Sequence, residues 1–212
     1  MAGVAVLAAA SVTLLACSGD DDGDDDGGGR EADASTDAGG GDGSEITEPE
    51  VRDELLAMME TDQAERTGEA VGSVATDRER ADRLAEIVDG HGWPTFDMVG
   101  VEGSTAAWVI AQHADFDVDY QREMLELMTA AVEDDGADPS ELAYLVDRVA
   151  VNSGEPQTYG TQVRCVPKGG VAPATPLVDE AGVDALRAEV GLDPLADYFV
   201  EFGAGCEAET GG

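Results

Sequence analysis

The sequence predicts a mainly α fold: an orthogonal helical domain of about six or seven helices with one small antiparallel β-hairpin. Three observations point to it. Apolar residues recur at helical spacing through five segments between 47 and 152. Thr- or Asp-led opening signals precede most of those segments. The period shortens to two only between 157 and 166.

In chain order, Thr47-Glu48-Pro49-Glu50 reads as a capping box with proline inside the first turn. Val51, Leu55, Met58 and Met59 then carry a helix over about 48–66, the two methionines serving as core filler. Thr76-Asp77-Arg78-Glu79 repeats the signal, and Ala81, Leu84, Ala85 and Val88 extend a second helix to Gly90. His91-Gly92-Trp93-Pro94 is a tight loop; the proline holds Trp93 extended, with its indole over a core edge. A third helix covers about 103–114, with Ala107, Ile110, Ala111 and Ala114 on one face. Gln112 and His113 sit at its carboxyl end, where exposed carbonyls favour a cationic imidazole.

Asp117 caps a fourth helix to about Glu133, with Gln121, Met124, Leu125, Met128 and Val132 at core spacing. Asp138-Pro139-Ser140-Glu141 opens the fifth, whose stripe is Leu142, Leu145, Val146 and Val149, flanked by Asp147 and Arg148. From Gln157 to Val166, Tyr159, Thr161, Val163 and Cys165 alternate with Gly160, Gln162, Arg164 and Val166, a strand pattern. Pro167-Lys168-Gly169-Gly170 is a turn and Val171 begins a return strand. Two helices close the chain, about 180–190 before Gly191 and about 194–202 after Asp193-Pro194.

Charge narrows the function. The chain has 47 acids against 11 bases, a formal −36. Residues 1–44 carry −9 of this and residues 45–212 carry −27, so the domain is acidic in its own right. Such a field repels phosphate backbones, which excludes nucleic acid as a partner. Lys168 is the only lysine.

Residues Ala2 to Ala16 are nearly all apolar or small, too few to cross a hydrocarbon layer that needs about 20. They suit the apolar region of an export signal. Leu14-Leu15-Ala16-Cys17 resembles the lipobox of bacterial lipoproteins, which implies lipidation of Cys17 and membrane lipid as a partner. No Lys or Arg precedes Cys17, whereas export signals open with positive charge. Segment 1–17 is thus expected to be the signal and 18–46, rich in Asp and Gly, a disordered linker. The globular domain is expected over 47–203 and a flexible tail over 204–212. The expected location is the outer face of the cytoplasmic membrane or the cell envelope. With Cys17 lipidated, Cys165 and Cys206 form an even pair, expected as a disulfide in an exported domain; two free thiols are the alternative.

Several motifs resemble one bacterial family catalogued as domain of unknown function 6624. They are Gly92-Trp93-Pro94, Gln112-His113-Ala114-Asp115, Ala143-Tyr144-Leu145 with Asp147-Arg148, Gly154 with Gln157, and Tyr159-Gly160-Thr161-Gln162. Val183-Asp184 with Arg187 and Gly191-Leu192 fits the family's carboxyl end. The resemblance spans roughly 47–202 and implies a shared site but no activity.

The candidate site is a polar cluster. His113 can take and give a proton near neutrality, with Asp115 or Asp147 to orient it. Arg148 suits an anionic group, while Gln112, Gln157, Tyr159 and Gln162 suit a sugar, amide or peptide. Three readings stay open. The cluster binds a polar small molecule or glycan, or it performs acid–base hydrolysis with His113 and a carboxylate, or it is an internal structural network with Asp147 and Arg148 paired. All but the last require the imidazole to meet Arg148 and Gln162. No nucleophile elbow or Cys–His signature supports covalent catalysis. Asp115, Asp117, Asp119 and Glu126 match calcium-loop spacing, but Tyr120 stands where the sharp turn needs glycine. No zinc spacing and no phosphate-binding glycine loop is present, so no metal or cofactor is expected.

Overall fold

The computed structural model describes residues 46–167 and 170–209. The signal segment, Cys17, the linker up to residue 45, and Lys168-Gly169 of the hairpin turn lie outside the described residues. The elements are α1 (Pro49–Thr67), α2 (Val74–His91), α3 (Phe96–Gln112), α4 (Val118–Glu133) and α5 (Pro139–Asn152), then β1 (Val163–Val166), β2 (Gly170–Pro173), α6 (Val183–Glu189) and α7 (Leu195–Glu209). Among the described residues these make seven helices and one two-stranded antiparallel sheet, the mainly α class with a small hairpin that the sequence predicts.

α3 is the axis of the core. Val99, Ala106, Ala107, Trp108, Val109, Ile110, Ala111 and Gln112 are all buried, so the helix has no solvent face along its second half. α1, α2, α4 and α5 surround it and contribute Leu55, Leu84, Ile87, Met124, Met128 and Leu145 to one apolar cluster. Truncating any of these leucines to alanine is expected to cost about 2–5 kcal/mol.

Local chemistry explains where the elements depart from the sequence pattern. The box at Thr47 does not form, because the backbone N–H groups of Thr47 and Glu48 donate to the carbonyls of Asp97 and Met98. α2 begins two residues before Thr76: Ser73 is the N-cap and exchanges hydrogen bonds with Thr76. α3 starts at Phe96 rather than 103 and is broken at Gly100, whose φ of 72° is open to glycine. It ends at Gln112, leaving His113 as its C-cap. The expected caps of α4 and α5 are present, with Asp117 accepting from the Tyr120 N–H and Asp138 from those of Ser140 and Glu141.

The strand expected over 157–166 is only 163–166 long, paired Val163 to Pro173 and Val166 to Gly170. Upstream, the chain leaves strand geometry to wrap the Asp147 carboxylate. It turns at Gly160 (φ 71°), where a Cβ would meet Leu177 and Leu195 side chains at 3.0 Å. Thr161 and Gln162 are therefore both buried rather than on opposite faces. α7 runs to Glu209, past residue 204, so Cys206 lies on a helix and not on a tail. A disulfide joins it to Cys165 of β1 with the Cα atoms 5.5 Å apart.

Candidate functional site

The end of α3 divides the expected cluster in two: among the described residues no bond joins His113 to Arg148 or Gln162. The convergence expected from the sequence does not occur, and any site at His113 must be built from other partners. His113 faces α1 and α2, where its Nδ1 lies 2.8 Å from Oδ2 of Asp62 and 2.9 Å from Nε of Arg66. One nitrogen does not donate to the first and accept from the second, and the charge on Asp62 decides which. Burial alone would raise the pKa of this carboxyl; hydrogen bonds and positive charge from His113 and Arg66 outweigh it and bring it down to about 2. Asp62 is therefore an anion and Nδ1 carries its proton toward it, so that whenever the ring is neutral its lone pair is on Nε2. The Arg66 Nε–H donates to both Asp62 oxygens at 3.1 Å, and its Nη2 reaches Asp77 at 3.0 Å. Arg80, buried behind, donates to Glu65 at 2.8 Å, Asp77 at 2.6 Å and Asp62 at 3.4 Å. The His113 side chain is 9% exposed and that of Arg66 36%, so the imidazole is nearly buried beneath a half-exposed arginine.

Across the helix end, Asp115 faces α5. Arg148 grips it side-on, Nε to Oδ1 at 2.7 Å and Nη2 to Oδ2, and sends Nη1 to Oε1 of Gln162 at 3.0 Å. Asn152 adds a bond to Asp115 at 2.9 Å. Burial raises the Asp115 pKa, but Arg148, Asn152 and the His113 charge together hold it below the usual carboxylate range. Asp115 thus pairs with Arg148 and does not orient His113.

Asp147 serves neither group. Fully buried, it accepts the backbone N–H groups of Thr158 (2.7 Å), Tyr159 (3.1 Å) and Thr161 (2.8 Å) and the Thr161 hydroxyl (3.0 Å). The expected Asp147–Arg148 pair does not form, because neighbours on α5 point to different partners. The Gln157 side chain stands in for a missing strand partner: Oε1 accepts the Gln162 N–H at 2.8 Å and Nε2 donates to the Gln162 carbonyl at 2.9 Å. Gln162 spends its own amide on Arg148, Tyr144 O and Thr161 Oγ1. Tyr159 gives its N–H to Asp147 and its carbonyl to Arg187 Nη1 at 2.9 Å. These four residues hold the hairpin onto α5.

Two buried groups are less settled. Gln112 is 1% exposed, and neither atom of its amide has a partner among the described residues; the same holds for Nε1 of Trp108 one turn earlier. Glu141 receives the Thr105 hydroxyl at 2.6 Å on one oxygen only. Burial, helped by Asp138 and opposed by Thr105, pushes it up to about 7. The calcium-type spacing is taken apart by the same geometry: Asp115 holds Arg148, Asp117 caps α4 and Asp119 pairs with Arg122 at 2.7 Å. Among the described residues no group of three or more His, Cys, Asp and Glu is placed to hold a metal ion.

Sequence reasoning missed Asp62, Arg66 and Arg80. The signal was available, since Asp62 continues the Leu55, Met58, Met59 stripe of α1 at the next turn. An acid on a buried stripe must find a cation, and Arg66 follows at four residues.

The fold and site define an α-rich domain in which a buried carboxylate, itself held by two arginines, meets one histidine at a helix end. The chain belongs to the family of unknown function DUF6624, whose model matches residues 49–205. No curated protein and no solved structure matches the chain.

Proposed function

We propose that this is an exported, lipid-anchored protein whose domain performs general acid–base chemistry, most simply hydrolysis, on a polar small molecule or glycan. His113 exchanges the proton and Asp62 is its partner, in place of Asp115 or Asp147. One observation carries the reading: the anionic, fully buried Asp62 lies 2.8 Å from Nδ1, which leaves Nε2 as the basic atom. An orienting carboxylate behind an imidazole selects the tautomer and stabilises the imidazolium that forms on proton transfer. The Cys165–Cys206 disulfide supports an oxidising compartment, and the Leu14-Leu15-Ala16-Cys17 lipobox supports the anchor.

The test begins with thermal-shift screening of neutral glycans, amides and esters on the mature domain, followed by turnover of each hit. His113→Gln and Asp62→Asn are each expected to lower turnover by about 10²–10⁴-fold while the fold persists. Turnover in His113→Gln equal to wild type would refute the assignment. For the anchor, fatty-acid labelling of wild type and not of Cys17→Ser is expected, and equal labelling of both would end that part of the proposal.

A second reading, ligand binding without turnover, is favoured by the orphaned amide of Gln112. A buried amide without partners costs roughly 1–3 kcal/mol. Gln112→Leu should therefore raise thermal stability while abolishing ligand-induced stabilisation that His113→Asn retains. A Gln112→Leu protein that still responds fully to ligand would remove this reading.

A further inference from the structure

His113 has two handles, and only one of them is Asp62. The other is the backbone at the end of α3, whose last carbonyls lack the i+4 donors of a helix interior, although the Ala114 N–H reaches the Ala111 carbonyl at 3.3 Å. Gln121, fully buried on α4, fills that role: its Nε2 donates to the Gln112 carbonyl at 3.1 Å and to that of Ala111 at 3.3 Å. The same amide is oriented from the far side by Asn152 of α5, whose Nδ2 donates to Gln121 Oε1 at 2.8 Å. That Nδ2 also donates to Asp115 at 2.9 Å. The segment holding His113 is thus fixed one residue before it by Gln121 and two residues after it by Arg148 and Asn152.

We infer that Gln121 is a positioning residue for His113: by clamping the α3 carbonyls it aims the imidazole at Asp62 and thereby fixes which ring nitrogen is free. This rests on the acid–base reading of His113. A side-chain amide is required, since the site asks for a donor toward two carbonyls and an acceptor toward Asn152 at once. Glutamate would place a second carboxylate against those carbonyls and Asp115, and methionine keeps the size but loses both bonds. Neither Gln121 nor Asn152 reaches the ring, so their influence travels through the backbone.

The ring-nitrogen ¹⁵N shifts of His113, recorded above the histidine titration range, test this without any substrate. His91, the other histidine, is an internal control in the same spectrum. Wild type is expected to show the Nδ1–H form alone. Gln121→Met is expected to lose that single-tautomer signature and show both forms, with His91 unchanged. Met128→Ala removes a fully buried side chain from the same helix and is expected to keep the wild-type pattern. An unaltered tautomer in Gln121→Met overturns the inference, as does an equal change in Met128→Ala. Should Gln121→Met not fold, Asn152→Ala is expected to give a smaller shift of the same kind, and no shift overturns it. The outcomes stay separable from the activity assignment, which falls if His113→Gln keeps turnover or if the wild-type ring is protonated on Nε2, whereas a Gln121→Met spectrum like that of wild type overturns the positioning role alone.

Discussion

Asp62 and Asp147 are both fully buried carboxylates on helices, yet they answer the desolvation problem in opposite ways. Asp62 is met mainly by ionisable side chains, His113, Arg66 and the more distant Arg80, with the Gln63 amide donating to Oδ2 at 2.9 Å. Asp147 is satisfied by three backbone N–H groups and one hydroxyl, all within residues 158–161. A backbone cage neither titrates nor relays protons, so the Asp147 region is a fastening. It draws the chain off strand geometry, and the disulfide, Arg187 and the contact of Tyr198 with Tyr144 tie the rest of the carboxyl-terminal part down. A carboxylate facing an imidazole, by contrast, is coupled to a side chain that can take and give a proton. Burial alone does not mark a functional acid; the kind of partner does.

The contrast breaks most visibly at Asp147. Asp147→Ala leaves three backbone donors without an acceptor and is expected to destabilise the domain by about 3–5 kcal/mol. Chemical denaturation at neutral pH measures this, with the His113 ring signals of the folded fraction expected to match wild type. A loss under 1 kcal/mol would mean the hairpin is held elsewhere.

Glu141 sharpens the comparison as a third case, a buried carboxyl with a single hydroxyl partner. Its folded pKa is raised to about 7, so the native state holds a proton that the unfolded chain releases near pH 4.5. Stability from this group is fully present below about pH 4 and is lost as pH rises through about 7. The total is up to about 3 kcal/mol at 1.36 kcal/mol per pH unit. Glu141→Gln is expected to remove that slope and to be the more stable protein at pH 8. Parallel stability–pH curves for the two proteins would contradict the assignment.

Asp62 gives the smallest stability effect and the largest chemical one. Its lowered pKa contributes stability that is present above about pH 4 and lost as pH falls toward about 2. Asp62→Asn keeps the shape but drops the charge-assisted bonds, an expected cost of about 2 kcal/mol at pH 7. Arg66 and Arg80 retain Asp77, and Arg80 also Glu65, which limits the damage. A variant that is fully stable yet inactive, or unstable yet active, separates the two roles.

Much of this architecture is legible in the sequence, and the reason is local. Caps at Asp117 and Asp138, the proline starts, and the stripes of α4 and α5 depend on residues within one or two turns. The pairing of Arg148 with Gln162 also follows the expected convergence of α5 with the hairpin. The partner of His113 was not legible, because α1 meets the end of α3 across 51 residues of chain and no periodicity encodes which face meets which. The alternation over 157–162 misled for a related reason. Polar and small residues alternate there, but Asp147 on another element claims their N–H groups.

The coupling of Asp62 to the imidazole is tested most directly by the ¹⁵N side-chain spectrum of His113 in wild type and Asp62→Asn. In wild type the proton is expected on Nδ1, in a low-field hydrogen bond, with Nε2 bare; the substitution is expected to abolish both features. A wild-type ring protonated on Nε2, or a spectrum indifferent to Asp62→Asn, would contradict the assignment of His113 as the oriented base.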